Sequence, residues 1–152
     1  MSSLKAFTVA VELAERQRDA ARQALKSVEA AHQAAQAQLA QIEGYALELQ
    51  DRWGASEGRA LAPEVMRHHY QFVGRLEHAA GLQTRVVAGQ DQRVAAARAA
   101  LLQAELRLSS LRKVLEQRQA EQARERQRNE QKQTDEYASQ RAAARRAASH
   151  EE

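Results

Sequence analysis

Apolar residues recur along this chain at alternating steps of three and four from Leu4 to Trp53. In heptad notation the a-type positions include Leu4, Val11, Leu25, Leu39, Ala46 and Trp53. The d-type positions are Phe7, Ala14, Ala21, Val28, Ala35, Ile42 and Leu49, and only Arg18 and His32 interrupt the stripe. This is the period of an α-helix that buries one narrow face against another helix. The pattern resumes at Met66 and runs through Val73, Ala80, Val87, Val94, Leu101 and Leu108. The d positions between them are His69, Leu76, Gln83, Gln90, Ala97, Ala104 and Leu111. Between the two stripes lies GASEGRALAP, from Gly54 to Pro63, which combines two glycines with the only proline. Glycine weakens a helix, and proline sits best in a first helical turn, where its missing N–H is not needed. The expectation is one all-α unit over residues 1–152, a long two-helix antiparallel coiled-coil hairpin. Its parts are a helix over 4–53, a loop over 54–62, a helix over 63–145 and a frayed end over 146–152.

Folding the chain back at that loop sets up layers such as Trp53–Ala62, Leu39–Leu76, Ala14–Leu101 and Phe7–Leu108. Past Leu111 the second helix runs out of partner. Val114 and Leu115 are its last apolar seam residues, and Arg118, Gln122, Glu125, Asn129 and Lys132 follow at seam positions. A helix without an apolar stripe is marginal alone. The second helix therefore overhangs the hairpin, and a partner is expected to stabilise it.

The seam is structural, so function is sought on the flanks. The e-type flank is charged, with Glu15, Arg22, Glu29 and Glu43 facing Glu77, Asp91, Arg98 and Glu105. The g-type flank is not: Ala24, Ala31, Gln38 and Tyr45 face Val65, Phe72, Ala79 and Val86. Tyr45 and Phe72 fall at matching height there. Two readings stand side by side. The aromatics widen the two-helix core, or they form a docking patch, since aromatics are favoured interface anchors.

Composition narrows the chemistry. The hydrophobic fraction of 43% is mostly alanine, too small to fill a thick core. There is no cysteine, hence no disulfide framework and no thiolate chemistry. The apolar run AFTVAV stops at Glu12, too short for the core of a signal peptide, and no stretch has the length of a membrane span. Twenty-three basic and 20 acidic residues, thoroughly mixed, give a net charge of +3, which suits a solvated helix surface better than a nucleic-acid stripe. The segment RERQRNEQK is diluted by glutamate and no zipper follows it, so a basic-zipper reading is not adopted. His68 and His69 are adjacent and point different ways, and no carboxylate completes a ligand set with His32 or His78. No phosphate-cradling loop, nucleophile elbow or inward carboxylate pair occurs. The expectation is a non-enzymatic protein with no catalytic, cofactor or metal site, no nucleic-acid partner and no direct membrane insertion.

Three stretches in order resemble the FliJ family of the bacterial flagellar export apparatus. QLAQIEGYALEL, residues 38–49, is similar to the family's segment before the loop, and YQFVGRLEHA, residues 70–79, to the one after it. QKQTDEYASQRAAAR resembles the C-terminal signature through Gln131, Lys132, Asp135, Glu136, Tyr137, Ala138 and Arg141. The resemblance implies a stalk-like coiled coil of a type III export system. Its terminal end would enter the hexameric export ATPase, and a patch nearer the loop would meet the cytoplasmic domain of the export gate membrane protein. It would also engage chaperones of export substrates, placing the chain in the cytoplasm and peripherally at the inner membrane. Carried onto this sequence, the gate-facing positions are Gln38, Ile42, Tyr45, Leu49, Phe72, Leu76, Ala79 and Gln83. Leu49 and Gln83 depart from the family's residues there. The ATPase-facing end takes Leu4, Phe7 and Val11 with Gln131, Lys132, Asp135, Glu136, Tyr137 and Arg141. A paralogous stalk of a virulence-type injection system, or a generic coiled-coil adaptor, is the alternative.

Overall fold

A computed structural model describes residues 2–55 and 62–151, and among these the chain is two long helices that pack against each other, with no strand. The first, α1, spans Ser2–Ala55, and the second, α2, spans Pro63–His150. This is the all-α two-helix hairpin read from the heptads. Of the expected loop 54–62, residues 56–61 lie outside the described residues. Gly54 and Ala55 still belong to the last turn of α1. At its other end α2 remains helical five residues beyond Arg145, to His150.

The start of α2 follows from its first four residues. The Ala62 carbonyl accepts hydrogen bonds from the backbone N–H of Val65 at 3.0 Å and of Met66 at 3.2 Å, so Ala62 is the cap. Pro63 then occupies the first helical position, where its fixed φ suits the helix and no donor is lost. Glu64 adds a carboxylate to the first turn, where the helix dipole favours it.

The chain divides into two units. In the first, Met1–Arg16 with Leu106–Glu152, the core is a cluster of Val11, Ala14 and Leu108, with Leu111 and Leu115 packed against it. Arg112 donates to a Glu15 carboxylate oxygen at 3.1 Å beside that cluster, and the Arg118 guanidinium lies 5.3 Å from the centre of the Phe7 ring. In the second unit, Gln17–Glu105, Ala35 and Val94 are the buried apolar residues. Around them Leu25, Val28, Leu39, Ile42, Leu76, Ala80 and Val87 are half-buried, as a two-helix seam dictates. The expected a and d residues line this seam, with Met66 an exception at 39% exposure.

The layers are not the expected ones. In the second unit Trp53 stacks on His69, seven residues past the expected Ala62. In the first, Ala14 packs with Leu108, seven past the expected Leu101. The pairing is thus slipped by one heptad along α2. A heptad stripe is unchanged by a shift of seven residues, so periodicity alone does not distinguish the two registers. The e-type flank does: Glu29 meets Arg98 at 3.9 Å.

Candidate functional site

The gate-facing positions inferred from the resemblance divide into two kinds. Ile42, Leu49 and Leu76 are half-buried seam residues whose first task is to hold the helices together. Gln83 belongs with them: its side-chain amide donates to the Ala35 carbonyl across the seam at 3.0 Å, which satisfies a polar group that the seam would otherwise strand. Ala79 is half-buried at the edge. Gln38, Tyr45 and Phe72 are exposed.

Tyr45 and Phe72 meet edge to face, with ring centres 6.0 Å apart and planes at 70°. That geometry is favourable for two aromatic quadrupoles. Tyr45 is nevertheless 52% exposed and Phe72 40% exposed. The pair touches without closing into core, leaving an aromatic ridge on the g-type flank. Beside it opens a groove of about 650 Å³, lined by Leu49, Trp53, Val65, His68, Phe72 and Arg75 among others.

One feature of this region escaped the sequence reading. Trp53 and His69 are stacked with centres 3.6 Å apart and planes only 5° from parallel. Tyr70 packs edge-on against both, at 6.3 Å from Trp53 and 5.8 Å from His69. Three rings thus close the seam where α1 ends and α2 begins. Placing Trp53 against Ala62 hid this cluster, and a register one heptad further would have revealed it.

The residues that the resemblance assigns to an ATPase-facing end do not form one cluster. Leu4 and Phe7 are half-buried and Val11 is buried, all within the first unit's seam. Gln131 begins thirteen residues beyond Arg118, the residue over the Phe7 ring, or about 20 Å further along α2. Gln131, Lys132, Asp135, Glu136, Tyr137 and Arg141 are all exposed. Their contacts are local ones along the helix. Gln131 donates to Asp135 at 3.4 Å, and the Arg141 guanidinium lies 5.6 Å from the Tyr137 ring centre. From Ala123 to Glu151 every residue is exposed.

Among the described residues no group of three or more His, Cys, Asp or Glu side chains is gathered to hold a metal ion. No helix among them is long and apolar enough to cross a membrane.

Two long helices packed along a narrow seam define the class of this protein as an all-α coiled-coil hairpin. The comparisons narrow this class. A family model described as Flagellar FliJ protein matches residues 4–147, and the chain belongs to the FliJ family, whose members are components of flagellar protein export. No curated protein and no solved structure matches it.

Proposed function

We propose that this chain is the non-enzymatic, stalk-like coiled coil of the flagellar type III export apparatus. It inserts its terminal end into the hexameric export ATPase, couples that ATPase to the cytoplasmic domain of the export gate, and assists in handling substrate chaperones. It acts in the cytoplasm, peripherally associated with the inner membrane. The observation that carries this reading is the bare end of α2, where every residue from Ala123 to Glu151 is exposed. A helix with no apolar stripe gains little from packing on its own chain, and so much of it is retained most economically as a docking element. The exposed Tyr45–Phe72 ridge supports gate docking, because it presents two touching aromatic anchors at the surface.

The test is deletion of residues 131–152. The hairpin should melt at nearly its original temperature, since every described residue of that segment, Gln131 to Glu151, is exposed. Stimulation of the export ATPase should be abolished. If the deletion leaves stimulation intact, or unfolds the hairpin, the division of labour is wrong.

A further inference from the structure

The g-type residues of α2 are half of a second stripe. The c-type positions lie beside them on the helix surface, and together they advance by alternating steps of three and four from Val65 to Ala100. All of these residues belong to the second unit. The large apolar members are Val65, Phe72, Leu82 and Val86, at 48%, 40%, 50% and 47% exposure. His68, Arg75 and Arg93 supply its basic members, and alanines and Gly89 fill the remainder. None of the stripe positions is acidic. Gly89 has nothing within 4 Å of where a Cβ would stand, so that point of the stripe is open to close approach.

The opposite flank is built differently. There Glu29 faces Arg98 at 3.9 Å, so charge is answered across the two helices. A heptad stripe that is apolar and exposed, and whose charged members are the cations Arg75 and Arg93, matches one kind of ligand chemistry: the seam of another helix, flanked by carboxylates.

We infer that the c/g stripe of α2 is a docking site for a third helix, an amphipathic segment of a partner protein with apolar residues at three-four spacing and Asp or Glu on its borders. The helix lies along α2 from Val65 toward Val86, three heptads or about 32 Å. Its apolar seam covers Phe72, Leu82 and Val86, and its carboxylates meet Arg75 within that span and Arg93 one heptad past its end. The groove beside Phe72 takes its first large side chain. The site shares Phe72 and Ala79 with the gate-facing positions of the proposed function and extends beyond them to Arg75, Leu82 and Val86, so Val86→Glu and Arg75→Glu test it apart from gate docking.

The experiment titrates the full-length chain with two synthetic stapled helices of about 24 residues, read by fluorescence anisotropy. Both carry leucine at three-four spacing; one is flanked by glutamate, the other by lysine. The glutamate peptide should bind at least about tenfold more tightly than the lysine peptide, because like charge across an interface is strongly disfavoured. Val86→Glu and Arg75→Glu should each weaken its binding by about tenfold or more without lowering the helical melt. Glu105→Lys, on the other flank, should leave binding unchanged. Equal binding of the two peptides, or no effect of Val86→Glu and Arg75→Glu, overturns the proposal. A chain that sediments as a dimer, and becomes monomeric with Val86→Glu, also overturns it, since a second copy then occupies the stripe.

Discussion

Truncating Tyr45 or Phe72 to alanine separates an anchor from a core residue. At 52% and 40% exposure each ring keeps roughly half its surface in water. Removing a fully buried aromatic costs about 3–5 kcal/mol, so each of these should cost the fold about half as much. Losing the edge-to-face contact adds about 0.5–1.5 kcal/mol in full to either truncation, since each removes one of its two rings. Leu108, only 2% exposed at the centre of the Val11–Ala14–Leu108 cluster, is the control: its truncation should cost about 2–5 kcal/mol, toward the upper end where the seam cannot collapse. If Tyr45 and Phe72 anchor a partner, each truncation should weaken binding by about 2 kcal/mol or more, roughly thirtyfold. Two titrations decide the matter: thermal unfolding followed by circular dichroism, and binding to the isolated cytoplasmic domain of the export gate. Leu108→Ala should melt earliest, while Tyr45→Ala and Phe72→Ala remain folded and bind poorly. Aromatic variants that melt as early as Leu108→Ala yet bind normally would refute the reasoning, and the ridge would then be core.

Gly81→Ala and Gly89→Ala should each stabilise the free hairpin by about 1 kcal/mol, because both lie inside α2 with open space where the new methyl would sit; a lowered melting temperature in either contradicts this. Arg112→Ala should cost only about 0.2–1 kcal/mol, since its 3.1 Å pair with Glu15 joins two substantially exposed side chains. That difference should shrink in high salt, and a loss that persists there would mean Arg112 acts through packing.

Most of the fold was legible because a two-helix seam has one repeating rule. The positions that the heptads place inward, from Leu4 to Trp53 on α1 and from His69 to Leu115 on α2, are the half-buried and buried ones. The aromatic ridge was legible for the same reason, as Tyr45 and Phe72 share the g-type flank. What the stripe did not reveal was layer pairing, and with it the Trp53–His69–Tyr70 cluster. The second stripe on α2 was missed differently. Reading one flank at a time left the c-type residues His68, Arg75 and Leu82 unexamined beside their g-type neighbours.

The layer pairing was nevertheless written in the flanking charges. In the register first expected, the e-type residues of the second unit would set Arg22 level with Arg98 and Glu29 level with Asp91, like charge against like. One heptad further along α2, Glu29 instead meets Arg98 at 3.9 Å, and the same step brings Arg22 level with Glu105. In the first unit the e-type contact is again of opposite sign, Glu15 with Arg112 at 3.1 Å. Each such exposed pair is worth about 0.2–1 kcal/mol, and like pairs cost a similar amount. Removing those two like pairs and gaining the Glu29–Arg98 contact therefore favours the observed register by roughly 1–3 kcal/mol. That is a small sum against a folded domain, but here it acts between two arrangements whose apolar seams are nearly equivalent. The charged flank thus has the task of fixing register. The apolar flank is left free of that task, and free to be covered by something else.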